Sequence, residues 1–339
     1  MKAICYVEPG RMELLDRPMP EIRDPEDVLI KVDYCAVCGD DKRILSGDFA
    51  GSMRSAPYII GHEVSGTIVD MGEGPFVKDF GPGDRVTGCF YNWCGRCKFC
   101  ERGIYQKCEN LDPRTEGMAE YLVWNEKQIF KVPDQVSLAQ ASLTEPIAVC
   151  LDAVSAGNIQ PGQGVLIFGG GACGLLITQL ARARGANPVV VVEPLQHKRE
   201  LALELGADYA IDPYRGNLYK ELTILSEAMG FHTVIECSGS RDAIDPAFEM
   251  VGDFGTLIVF SALSHTFTYP LRMLDFYNKN AIVRSVYMAR ESAFLNALQT
   301  IPRLRLDKYT DHIVPIDEYE YAFSTETLRN FLKVIIKIG

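Results

Sequence analysis

Cys94, Cys97, Cys100 and Cys108 stand in CGRCKFCERGIYQKC with the spacing C-x2-C-x2-C-x7-C. Four thiolates on so short a glycine-containing stretch can wrap one Zn²⁺ tetrahedrally, each at about 2.3 Å. With all four positions taken by protein, such a centre is structural. An iron–sulfur cluster competes for three closely spaced cysteines. Its bacterial run, however, places the fourth cysteine after x3 and follows it with Pro, and this chain does neither.

A second set is dispersed. Cys38 lies in YCAVCGDDKR, His62 and Glu63 in IIGHEVSG, and Glu145 in LTEPIAV. One Cys, one His and one or two carboxylates make a three-ligand site that leaves a position for water or substrate. Singly, each has a plainer reading: a buried Cys as a small hydrophobe, a hydrogen-bonded His, a Glu capping the helix that follows. Together, beside a metal-binding lobe, they point to a catalytic zinc.

A third set is glycine-rich. Gly169, Gly171 and Gly174 form G-x-G-x-x-G in FGGGACG, with Ala172 and Cys173 completing the turn. The motif alone is weak, but here it follows the strand-like VLIF and opens the helix-like LLITQLARA. In that context the glycines allow a tight turn, close approach of a pyrophosphate and close helix–strand packing. The helix N-terminus then faces the phosphates. Glu193 ends the next strand, VVVVEP, where a carboxylate accepts from both ribose hydroxyls and repels a 2′-phosphate, favouring NAD(H) over NADP(H). His197, Lys198 and Arg199 follow it and could offset that preference. Ser238 and Ser261, each after a predicted strand, are candidates for the nicotinamide side.

Elements must hold these groups in place. DVLIKVDYCAV, EVSGTIVDMG and EYLVWNEKQIFKV read as strands bounded by Gly, Pro and Asp. From Gly162 the pattern becomes strand, glycine turn, amphipathic helix, strand, continuing through KRELALELGADYAID, HTVIECSG and GTLIVFS. That alternation implies a doubly wound parallel α/β sheet covered on both faces. The closing NFLKVIIKIG reads as a strand returning to the N-terminal part. The expected division is a discontinuous, mostly-β catalytic domain over 1–150 and 286–339, carrying a zinc lobe at 92–110, and a Rossmann domain over 151–285. His232 and His265 read as loop residues, and residues 40–58 as polar pocket lining.

Bulk properties agree with an enzyme of small molecules. The 339 residues suit two domains, with 47% apolar and 23% charged residues. A net charge of −11 argues against nucleic acid or an anionic membrane surface as partner. MKAICYVEPGRMELLDRP carries no apolar core of a secretory signal. Eleven cysteines without an export signal suggest metal or catalytic use in a reducing cytoplasm.

The chain resembles the zinc-containing medium-chain dehydrogenase/reductase family, in its sorbitol dehydrogenase-like branch. The resemblance runs from MKA to LKVIIKI. It rests on the CG-D segment at Cys38, GHEVSG at 61–66, PGDRV at 82–86, the four-cysteine lobe, Glu145–Pro146 and the glycine turn. It implies a GroES-like catalytic domain and a catalytic zinc on Cys38, His62 and either Glu63 or Glu145. It also implies hydride transfer between a small-molecule alcohol or ketone and NAD(H), with zinc as Lewis acid, in a homodimer or homotetramer. The substrate class it implies is a secondary alcohol in a polyol, sugar, cyclitol or amino alcohol. The simple alcohol dehydrogenases use a second cysteine where Glu145 stands. One departure is Asp40, where the family carries a proton-relaying Ser or Thr. Asp40 either accepts the proton, binds a substrate hydroxyl or amine, or only shapes the turn. That departure keeps a second reading open, a non-catalytic dinucleotide-binding redox sensor or structural relative.

Overall fold

The computed structural model describes residues 1–48, 55–74, 80–263 and 266–339. His265 and residues 49–54 of the expected pocket lining lie outside the described residues.

The chain divides into two compact units, Met1–Ala148 with Ala289–Gly339, and Val149–Met288. These limits fall beside, and slightly displaced from, those expected at 150/151 and 285/286. In the first unit, strands β1 (Lys2–Glu8), β2 (Arg11–Asp16) and β3 (Asp27–Ala36) precede helix α1 (Gly39–Ser46). Next come β4 (Tyr58–Ile59), β5 (Glu63–Met71), β6 (Arg85–Gly88), β7 (Tyr91–Asn92) and β8 (Asp112–Pro113). Then β9 (Tyr121–Asn125), β10 (Ile129–Lys131) and α2 (Leu138–Ala141) follow, and α3 (Thr144–Ala156) begins in this unit and ends in the second. The run EYLVWNEKQIFKV is two strands, not one. Asn125 caps a short 3₁₀ turn over Glu126–Gln128, accepting from the Lys127 N–H at 3.2 Å, which breaks the ladder between β9 and β10.

The second unit holds β11 (Val165–Phe168), α4 (Ala172–Ala183), β12 (Val189–Val192), α5 (Gln196–Glu204), β13 (Tyr209–Ile211) and α6 (Leu218–Leu225). It continues with β14 (Phe231–Glu236), α7 (Arg241–Glu249), β15 (Val251–Val259), α8 (Met273–Lys279) and β16 (Ile282–Ser285). The strands form one sheet in the order β13-β12-β11-β14-β15-β16, every neighbour parallel. VLIF and VVVV are buried along their whole length, as strands covered on both faces must be. β9 instead alternates buried and half-buried residues, the signature of a sheet covered on one side. His232 belongs to β14 rather than to a loop, with its side chain exposed.

The first unit closes with β17 (Ile313–Pro315) and β18 (Ile335–Lys337). Its main sheet runs β10-β6-β5-β3-β18-β17, with β9 also on β3. The returning strand decides the site. Ala36 of β3 pairs with Ile335 of β18 on one side and with Glu63 of β5 on the other. Val37 donates to the Val334 carbonyl at 2.9 Å. The exit of β3, the start of β5 and the entry to β18 therefore meet at one sheet end, above a core that includes Ile30, Val64, Leu122, Trp124 and Ile336.

Candidate metal centres and dinucleotide turn

β7 and β8 pair through Asn92 and Asp112 and close the loop that carries the four cysteines. Trp93 stacks on Tyr105 at 4.7 Å, and the Lys127 ammonium donates to the Trp93 carbonyl. All four sulfurs lie within 4.8 Å of one another, with Cys97–Cys100 at 3.5 Å and Cys97–Cys108 at 3.9 Å. No disulfide joins them. A tetrahedron with ~2.3 Å arms has edges of roughly 3.8 Å, so these spacings fit one zinc. Backbone N–H groups of Cys94 and Asn110 point at the Cys108 sulfur, at 3.3 and 3.4 Å. The thiols do not share one acidity. The Arg96 amide leads in drawing Cys94 down to about 6, while burial and the neighbouring sulfurs push Cys100 up to about 12. Only a cation makes all four thiolate together.

Cys38 caps α1 and Asp41 folds back to accept its N–H at 2.8 Å, so the cysteine is held at a helix start. His62 precedes β5 and packs on Phe90 at 4.9 Å. Gly61 before it has φ +92°, and a Cβ there would meet Met118 Cγ at 2.6 Å and Cys35 Sγ at 2.8 Å; only glycine fits. The ligand atoms of Cys38, His62 and Glu63 all lie within 4.8 Å of one another. Among the described residues, this set and the four-cysteine lobe are the two groups of that kind. Glu145, at the first turn of α3, is buried but outside that group.

Lys333 reaches this centre from just before β18. Its Nζ lies 2.6 Å from each Glu63 oxygen, donates to Oε1 and is almost wholly buried with it. Glu63 Oε2 accepts no hydrogen bond among the described residues and has the Lys333 charge beside it, which leaves it lone-pair capacity for a metal ion. Burial pushes the Cys38 thiol well up, Glu63 adds to this, and Lys333 opposes it. Burial raises Asp41 to about 6 and Glu145 to about 7. For His62, burial pulls downward, but Asp41, Glu145, Glu63 and Asp40 together hold it above its ordinary value. The site is therefore rich in negative charge, with a soft thiol and an imidazole beside it. That donor set suits zinc.

In the second unit the glycine turn joins β11 to α4. Gly169 has φ +100°, and a Cβ on Gly174 would stand 1.9 Å from the Gly169 carbonyl oxygen. Gly171 is the N-cap of α4, so Ala172, Cys173 and Gly174 form its first turn, where free N–H groups suit phosphate. Glu193 accepts from the Gly170 N–H at 2.7 Å and the Leu195 N–H at 2.9 Å. Arg199 donates to the Glu193 and Pro194 carbonyls and pairs with Asp212 at 3.1 Å. Lys198 sits half-buried in the first turn of α5. Glu236, a buried carboxylate at the end of β14, gathers Ser238 N–H, Ser238 O–H and Gly239 N–H on one oxygen, at 2.7, 2.5 and 3.0 Å. Ser261 also donates its N–H to the Glu236 carbonyl at 3.1 Å.

Residues 24–134 match the alcohol dehydrogenase GroES-like domain and residues 172–303 the zinc-binding dehydrogenase domain. L-threonine 3-dehydrogenase of Pyrococcus horikoshii is 36% identical over 78% of this chain and 81% of its own length. D-arabinitol dehydrogenase 1 of Uromyces fabae is 30% identical over 99% and 97%. A crystal structure of a zinc-binding dehydrogenase from Sinorhizobium meliloti 1021, bound to NADP, superposes with a TM-score of 0.90. It has 29% identity over 99% of this chain and 98% of that one. The chain belongs to the zinc-dependent medium-chain alcohol dehydrogenase superfamily. It is a dehydrogenase with a GroES-like unit and a Rossmann unit, and zinc and a nicotinamide dinucleotide are its cofactors.

Within this dehydrogenase, the structure gathers Cys38, His62 and Glu63, and separately Cys94, Cys97, Cys100 and Cys108. It sets Asp40 beside Arg43, whose Nη1 lies 3.4 Å from its carboxylate. It ties Ser238 into its own loop, the hydroxyl donating to Glu236 and accepting from the Ser240 N–H at 3.0 Å. Sequence reasoning overlooked Lys333 and Glu236. Each had a signal, since both are charges inside or at the end of apolar strand runs, FLKVIIK and TVIE, where a buried charge needs a partner.

Proposed function

We propose that this dehydrogenase oxidises a secondary alcohol within a polyol, sugar, cyclitol or amino alcohol, with NAD⁺ as hydride acceptor and the reverse reduction as its counterpart. The observation that carries the reading is the convergence of Cys38, His62 and Glu63 within 4.8 Å. These residues, with Glu145 as the alternative carboxylate, would hold the catalytic zinc, and the four-cysteine lobe a structural one. Bound there, zinc supplies Lewis acidity to the substrate hydroxyl oxygen, and the dinucleotide supplies the hydride chemistry.

The protein's own groups do the rest. Lys333 neutralises Glu63 and fixes its orientation. Asp41 braces the Cys38 turn through the 2.8 Å hydrogen bond. Asp40 is the proton acceptor in place of the family hydroxyl, its charge moderated by Arg43. In the second unit, Gly169, Gly171, Ala172, Cys173 and Gly174 cradle the pyrophosphate, and Glu193 accepts from the ribose hydroxyls. Arg199 is already committed to two carbonyls and Asp212, which favours NAD(H) by removing a counter-charge for a 2′-phosphate. Ser238 and Ser261 line the nicotinamide side.

A cytoplasmic homodimer or homotetramer completes the reading. It is supported by β16, whose four residues are all exposed on a sheet edge, and by Met273 and Tyr277, exposed at 69% and 79%. No helix among the described residues is long and apolar enough to cross a membrane. The test is reduction of NAD⁺ and NADP⁺ by the zinc-loaded protein with polyols, sugars, cyclitols and amino alcohols. NAD⁺-dependent turnover with one of these classes is the expected result. Fully zinc-loaded protein that binds NADH yet turns over none of them would sink the reading.

A further inference from the structure

Two cysteines flank the glycine turn, and hydride transfer uses neither thiol. Cys173 lies in the first turn of α4, next to Gly174, which packs on the Gly169 carbonyl. Cys237 follows β14, and its N–H donates to the Phe168 carbonyl at 2.9 Å. The strand exit crosses the turn closely, since a Cβ on Gly169 would stand 3.1 Å from Ser238 N and 3.2 Å from the Cys237 carbonyl carbon. One residue, Gly169, thus receives the start of α4 on one side and the Cys237–Ser238 link on the other. Both cysteines are free, and each is half-buried as a residue. Burial pushes the Cys237 thiol well up, and the next influence on it is Cys173, ahead of its own chain neighbour Glu236. A third thiol, Cys150, is fully buried and spends its S–H on the Cys173 carbonyl at 3.6 Å.

We propose that Cys173 and Cys237 form a reversible thiol-oxidation site, closed by peroxides into a disulfide across the dinucleotide turn. The inference rests on reading this turn as the dinucleotide site. In the first step the Cys173 sulfur attacks the peroxide, the O–O bond breaks, and a sulfenic acid and one water (or alcohol) result. The Cys237 sulfur then displaces the sulfenic oxygen as a second water, and each sulfur has given up one electron. Both thiol protons leave in the waters. The new bond ties the first turn of α4 to the β14 exit, over the backbone N–H groups that would face the pyrophosphate, so binding of the cofactor and oxidation of the pair exclude each other.

The test uses the full chain loaded with zinc. Hydrogen peroxide is added with or without NAD⁺, followed by peptide mapping, zinc content and NADH binding. The expected result is a Cys173–Cys237 cross-link with NADH affinity down ~tenfold or more and zinc retained, reversed by dithiothreitol and suppressed by NAD⁺. In Cys237→Ser, peroxide should no longer change whatever NADH affinity that variant has. A Cys150–Cys173 link, no link at all, or equal loss of binding in Cys237→Ser would each overturn the proposal. Failure of the untreated protein to bind NADH would instead sink the reading of the turn itself.

Discussion

The two candidate zinc centres lie in one structural unit and are built in opposite ways. The four-cysteine lobe takes every ligand from one short loop, pinned by the β7–β8 pair, and its ligand set is sulfur alone, with no carboxylate or imidazole in it. The Cys38 centre draws on a helix cap and a strand start, and it carries a buried pair between Glu63 and Lys333, which enters from just before the C-terminal strand. A closed local site is a folding device. An open site assembled across the sheet is charged and under-satisfied until metal and substrate arrive, and its cost is met by the surrounding fold.

Substitutions should separate the two. Cys38→Ala should lower turnover by on the order of 10³-fold or more, about 4 kcal/mol in the barrier, while thermal stability and NADH binding stay near wild type. Cys100→Ser should do the reverse in kind, lowering the melting temperature and releasing the lobe's metal, because that metal contributes to folding. Equal loss of stability in both variants would erase the distinction.

Lys333→Met sharpens the comparison at the next level. It leaves Glu63 buried without its cation, which should cost about 3–5 kcal/mol in denaturant unfolding of the metal-free protein. Added zinc should recover part of that loss. A neutral effect would mean that Lys333 is not what balances the site.

How much of this was legible in the sequence follows the same division. The lobe could be read outright, because its ligands share one loop and metal spacing is local. The parallel sheet could be read from VLIF and VVVV, whose unbroken apolar runs leave little alternative to burial on both faces. The return of NFLKVIIKIG to the first unit was also readable as a strand. Its register was not, and register is what brings Ile335 opposite Ala36 and so Lys333 onto Glu63. Likewise no periodicity reveals that Glu236 organises the Ser238–Gly239 loop, since that depends on where a carboxylate lands once the sheet is twisted and covered. Local chemistry is written in spacing; long-range charge balance appears only in three dimensions.

A smaller effect is expected with pH. Asp41 and Glu145 are raised by burial to about 6 and about 7, from ordinary values of 3.8 and 4.5. The folded metal-free chain therefore holds protons that the unfolded chain has already lost, and the stability these two groups contribute must fall as pH rises from about 4 through about 7. His62, also held above its ordinary 6.5, adds stability at low pH that is lost as pH climbs past its folded value. All three act in one direction. Cys94, drawn down to about 6, opposes them above that value once chelation empties the lobe, so melting temperatures of chelator-treated protein should fall between pH 4 and 6, and zinc-loaded protein should show a flatter profile. A chelated protein that gains stability over that range would contradict the charge picture.

Smallest of all, Asp40→Asn should change turnover by about tenfold or less and shift its pH profile, because solvent can replace a half-exposed proton acceptor. An unchanged profile would leave Asp40 as a turn-forming residue.

The most direct test of the two-centre account is zinc per chain, measured by plasma emission on wild type and Cys38→Ala purified side by side. The account predicts two zincs in the wild type and one in the variant, with NADH binding intact in both. One zinc in the wild type, or two retained in Cys38→Ala, would contradict it.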